Sequence, residues 1–160
     1  SISGGRIVRM DKTGYVNRVY KLGDLLLHHD YLFGNRGDIV VLGTDTKEGT
    51  KEDVVFSIDL ETKKVKTIID LKDIFPDYYQ MTSQPEGSPY LDWMHINSMS
   101  FVDKESIILS SRETSTIIKL DSIYDNPTID YMIGSEEFWK DTGYESYLLK
   151  QDGDFSLHGF

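Results

Sequence analysis

The chain of 160 residues contains no cysteine, which removes disulfides, thiol nucleophiles and cysteine-ligated zinc from the chemistry open to it. That absence leaves the compartment undecided, since an exported protein need not carry disulfides. No apolar run approaches the roughly 18 residues of a membrane-spanning helix. Basic residues are the minority, 17 against 27 acidic for a net charge of −10, so the field of the whole chain disfavours nucleic acid and anionic membrane as partners. A site for an anion must therefore be assembled from a few chosen residues. No signal peptide opens the chain, and Ser1-Ile2-Ser3-Gly4-Gly5 reads as the interior of something longer. No GxxxxGK[ST] loop is present to cradle a nucleotide's phosphates. Asp152 and Asp154 flank Gly153 without the remaining ligands of a calcium loop, and Pro127 spoils Asn126-Pro127-Thr128 as a glycosylation acceptor. Arg36-Gly37-Asp38 reads as hairpin-turn chemistry rather than an adhesive motif.

What is present is strand periodicity. "RIVRMDKTGYVNRVYKL" (6–22), "VVFSIDLETKKVKTIIDL" (54–71) and "TIIKLDSIYDNPTIDYMI" (116–133) share one design: an alternating strand ending in apolar-Asp, a polar turn, and a second alternating strand. "DIVVLGTD" (38–45) and "SIILSSRE" (106–113) add further strands, each preceded by a histidine-bearing one, "LLLHHDYLF" and "WMHINSMSF". The chain repeats a unit of four short antiparallel strands. Units of about 40 to 60 residues with four strands read as β-propeller blades, with an ordinary antiparallel sandwich as the plainer alternative. The expectation is an all-β chain, one partial propeller domain over 1–160 supplying between two and three blades. Helical signal is confined to inserts at about 72–92 and 135–155, where Pro76, Pro85 and Pro89 break the first into turns. Inserts at a propeller rim can line the channel mouth; Tyr78, Tyr79, Tyr90, Trp93, Trp139 and Tyr144 either wall an aromatic pocket there or pack the inserts onto their blades.

Innermost propeller strands converge on one axis, so equivalent positions of successive repeats meet. In-phase alignment places His29 opposite His95, with His28 as the alternative to His29. Asn97, two residues from His95, is expected on the same strand face, and Arg112 ends the neighbouring strand. Imidazoles, a carboxamide and a guanidinium with few carboxylates suit a sulfuryl or phosphoryl oxyanion: arginine offers a planar fork and neutral histidine a base or nucleophile. An adjacent arginine is a poor neighbour for a divalent cation, so no metal is expected.

"DWMHINSMSFVDKESIILSSRETSTIIKLD" (92–121), followed by "IDYMIG", resembles the signature region of the bacterial arylsulfate sulfotransferases, and "HHDYLFGNRGDIVVLG" is similar to a second stretch of that family. The resemblance implies a six-bladed propeller that moves a sulfuryl group from an aryl sulfate to a phenolic acceptor by ping-pong chemistry, without a nucleotide donor or other cofactor. It implies a transient sulfohistidine, with His95, Asn97, Arg112 and His29 or His28 around the sulfuryl oxygens and leaving phenolate. It also implies a periplasmic, secreted or cell-surface location; a homodimer is among the assemblies left open. The sequence departs from the family at the nucleophile, since no Gln-His pair occurs. Either His158, 37 residues after Asp121 as His95 lies 36 after Asp59, takes that part, or a histidine beyond Phe160 does. On this reading the chain alone is expected to turn over little. A non-catalytic propeller module and a sulfate or phosphate ester hydrolase remain as rival readings.

Overall fold

The computed structural model describes residues 5–84, 86–150 and 152–153. All of its sheets are antiparallel. β1 (Arg6–Met10) and β2 (Val16–Lys21) form a hairpin. β3 (Leu25–Phe33), β4 (Asp38–Asp45), β5 (Val54–Asp59) and β6 (Val65–Asp70) form one four-stranded meander, and β7 (Ile96–Phe101), β8 (Ile107–Ser111), β9 (Thr116–Asp121) and β10 (Thr128–Ile133) form a second. The three hairpins read from sequence are β1–β2, β5–β6 and β9–β10, each turning at its apolar-Asp pair. At the first two the reason is visible. Asp11 accepts the backbone N–H of Thr13 and Tyr15, and Asp59 accepts those of Glu61 and Thr62, so the side chain replaces ladder bonds as each strand ends.

The two meanders are successive blades, packed face to face through one core. β4 is buried along nearly its whole length, and its period of two divides it: Val40 and Leu42 face the second blade's Leu109, Ile118 and Leu120, while Ile39 and Val41 face the hairpin's Tyr20 and Leu22. Strands β3 and β7 begin the two meanders and lie side by side, tied by the Met99 N–H donating to Asp30 Oδ2 at 3.1 Å. The Arg-Gly-Asp turn joins β3 to β4 and has structural duties. Arg36 ion-pairs with Glu105 at 2.9 Å and lies 4.3 Å over the Tyr124 ring, and buried Asp38 accepts from Ser57 and Tyr124.

Between the blades, residues 71–95 carry α1 (Leu71–Ile74), capped by Asp70, and α2 (Pro76–Met81), with Pro76 in its first turn. After β10 come α3 (Glu136–Trp139) and a 3-10 turn at Glu145–Tyr147. The insert aromatics pack on one another: Tyr78 lies 5.8 Å from Trp93 and 5.1 Å from Trp139, and Phe75 lies 4.9 Å from Tyr144. Trp93, Trp139 and Tyr144 are buried core. Of the two expectations for these residues, packing the inserts onto their blades is the one observed for Tyr78, Tyr79, Trp93, Trp139 and Tyr144. No helix among the described residues is long and apolar enough to cross a membrane.

Candidate active site

Strand β3 does not run evenly past the histidines. Leu27 pairs with Gly43 and Tyr31 with Val41, so His28, His29 and Asp30 together oppose Leu42. This bulge re-aims the side chains and places His29 at φ 52°, in the left-handed region. β7 begins at Ile96, and His95 just precedes it at φ 48°. The expected strand therefore starts later than read, because a left-handed residue leaves the extended ladder. A second bulge follows: Ile96 pairs with Ser111 but Ser98 with Ser110, and Asn97 is the unopposed residue. Simple alternation therefore does not relate Asn97 to His95, and among the described residues the Asn97 side chain has no hydrogen-bond partner.

The structure brings His29 and His95 together, ring centroids 5.4 Å apart, with His28 6.2 Å from His29. Between them lies a residue that sequence reading missed. Glu52, itself at φ 58° and buried, has its Oε2 2.8 Å from His95 Nδ1 and 3.4 Å from His29 Nε2, and its Oε1 3.3 Å from His28 Nδ1. A second carboxylate, Asp92 Oδ2, lies 2.8 Å from His95 Nδ1 and 2.9 Å from Lys51 Nζ. The expected cluster poor in carboxylates is thus replaced by imidazoles arranged around two of them. Three non-glycine residues in the sparsely populated left-handed region meet side chain to side chain, a strain that persists only where surrounding contacts over-determine it.

Those contacts come from the β4–β5 loop. Gly49 O accepts from Leu91 N, Lys51 N donates to Leu91 O, and Ile96 N donates to Glu52 O, so the loop pairs with the segment entering β7. The Trp93 indole N–H donates to buried Asp53 at 2.8 Å. Glu52 N–H donates to Thr44 Oγ1 at 2.8 Å, and that hydroxyl lies 2.9 Å from His28 Nε2. Burial pushes His28 below its ordinary value of 6.5 against the pull of Glu52, with His29, Lys51 and His95 adding to the lowering. Burial alone would raise Asp92, but hydrogen bonds from Lys51 and His95 outweigh it and hold the carboxyl below its ordinary range.

A family model described as arylsulfotransferase (ASST) matches residues 1–159. The chain belongs to the arylsulfotransferase family. Comparisons with curated proteins and with solved structures returned no match.

Arg112 lies just past β8. Its backbone N–H donates to the His95 carbonyl at 3.1 Å, but its exposed guanidinium turns to Glu113, with Nε 3.0 Å from Oε1. That ion pair, with Asp92 and Glu52 near enough to add to it, raises the guanidinium pKa further. His158 lies outside the described residues. A cavity of about 780 Å³ opens beside His28 and His29, toward β1, with Arg9, Met10, Tyr31 and Phe33 in its walls. His29, Glu52 and His95 also bring three ligating atoms within 4.8 Å of one another, a donor set of a type that takes divalent transition metals. Lys51 and Arg112 oppose this by supplying fixed positive charge to the same carboxylates. Asp92 stands three residues before His95 and was within reach of sequence reading. Glu52 had no such signal, sitting in a charged loop whose histidine partners are 23 or more residues away.

Proposed function

We propose that the protein transfers a sulfuryl group from an aryl sulfate to a phenolic acceptor through a sulfohistidine, in two half-reactions. In the first, an imidazole nitrogen attacks sulfur; the N–S bond forms, the S–O(aryl) bond breaks, and the electron pair leaves with the phenolate, which takes a proton from a neighbouring imidazolium. In the second, the acceptor phenol gives its proton to that imidazole, its oxygen attacks sulfur, and the N–S bond breaks. The observation that carries this reading is the meeting of His29 and His95 at 5.4 Å between adjacent blades, within a chain matched along 1–159 by the arylsulfotransferase model. Two nearby cations, Lys51 and Arg112, give a sulfate ester attraction that the net charge of −10 would otherwise deny. In a complete ring, Arg112 exchanges Glu113 for the sulfuryl oxygens, where its planar fork fits two of them.

The test uses the full-length protein with 4-nitrophenyl sulfate and an added phenol. Expected are parallel double-reciprocal lines as acceptor is varied, and a burst of nitrophenol without acceptor. Mass spectrometry of the trapped intermediate locates the label among His29, His95, His158 and any histidine outside this chain. Free sulfate as sole product, at a rate indifferent to the phenol, identifies a hydrolase instead.

A further inference from the structure

We propose that Glu52 and Asp92 act together as positioning residues that lock His95 in its Nδ1-protonated form, leaving Nε2 as the nitrogen that exchanges a proton with the aryl oxygen; this rests on the sulfuryl-transfer reading above. Carboxylate oxygens only accept, and two of them, Glu52 Oε2 and Asp92 Oδ2, each stand 2.8 Å from His95 Nδ1. That nitrogen carries a hydrogen in either charge state of the ring. Nε2 has no protein partner among the described residues.

Both carboxylates are themselves held in place. Lys51 Nζ fixes Asp92 at 2.9 Å. The Glu52 backbone is pinned at both its N–H, by Thr44, and its carbonyl, by Ile96. Glu52 is 8 % exposed and adopts φ 58°, a conformation that disfavours a side chain and that these bonds maintain. The same carboxylate faces His28 and His29. With His28 Nδ1–H directed to Glu52, the Thr44 hydroxyl can donate to His28 Nε2 while accepting Glu52 N–H, and every group in that circuit is satisfied.

The proton balance follows. During cleavage the S–O electron pair goes to the phenolate oxygen, which takes the hydrogen on Nε2 of the doubly protonated His95 ring. During transfer to the acceptor, the neutral ring's Nε2 lone pair takes the phenol's proton, so the ring ends as it began. At no stage does Nδ1 lose its hydrogen, and the ring need not rotate between half-reactions. A histidine free to interconvert tautomers would present the wrong nitrogen part of the time, and correct acid–base placement of this kind is worth about 10²- to 10⁴-fold.

The experiment has two arms. In full-length protein with ¹⁵N-labelled histidine, long-range ¹H–¹⁵N correlation on the neutral ring is expected to show His95 with hydrogen on Nδ1 and a bare Nε2. Finding the hydrogen on Nε2 overturns the proposal, and this measurement needs neither substrate nor turnover. In the second arm, Glu52→Gln with Asp92→Asn keeps shape but lets each amide turn either its oxygen or its NH₂ to the ring. A mixed tautomer population and a kcat loss of about 10²- to 10⁴-fold with KM within about threefold are expected, while Glu52→Asp alone retains most of kcat. Unchanged kcat in the folded double variant also overturns the proposal. If that variant misfolds, the wild-type ring assignment decides. A wild-type enzyme with the expected tautomer but no sulfuryl transfer sinks the functional reading instead.

Discussion

The Arg112 guanidinium is 55 % exposed at the side chain and paired with its sequence neighbour Glu113, a contact that contributes at most about 0.5 kcal/mol to stability. Its value, on the sulfuryl-transfer reading, lies in a planar fork presented to an oxyanion. Arg112→Lys keeps the charge and loses the fork, so kcat is expected to fall about 100- to 1,000-fold, the cost of one preorganised donor, with the thermal midpoint unchanged. Near-normal turnover in the folded variant removes Arg112 from the chemistry. His28 makes a prediction about pH. Its folded pKa lies below the ordinary value of 6.5, chiefly through burial, so the unfolded chain takes up the proton first as pH falls. Its contribution to stability is full above about 6.5 and declines as pH drops through that value toward the folded one. Thermal midpoints measured from pH 8 to 5 should fall more for the wild type than for His28→Gln, and parallel curves would show that His28 is not responsible.

The β4–β5 loop, residues 46–53, is the element that makes the site. It carries Glu52 from the first blade to the second and is fastened there by Trp93, whose indole satisfies Asp53, 1 % exposed. Trp93→Phe leaves that carboxylate buried without its donor, and a cost of about 1–3 kcal/mol is expected in urea unfolding. Because the same loop holds Glu52 against His95, the variant's kcat should fall as well. A loss of stability with full activity would mean that Glu52 keeps its place without the Trp93 anchor.

Taken whole, the two blades share one core. Val40 and Leu42 of β4 belong to the same cluster as Leu109, Ile118 and Met132, and the Arg36–Glu105 and Asp30–Met99 bonds cross the same boundary. Blades joined this closely unfold together, since neither buries its apolar face alone. Thermal curves from far-ultraviolet circular dichroism and from tryptophan fluorescence, whose reporters Trp93 and Trp139 lie in that core, should superimpose. Two separated transitions would show that the interface is weaker than its burial implies.

Sequence alone determined the strands, because alternation and the turn-forming Asp11 and Asp59 are local properties of the chain. It also determined that His29 and His95 would meet, since positions in phase with a repeat of stacked blades must face one axis. It placed Asn97 by alternation with His95, and a bulge at that residue breaks the alternation on which the inference stood. Only the tertiary structure decided that Trp93, Trp139 and Tyr144 are core and that Arg112 turns to Glu113. It alone brought Glu52 among the histidines, for a buried carboxylate with three imidazoles around it is held by contacts between distant segments, and no period or local propensity in the chain encodes them.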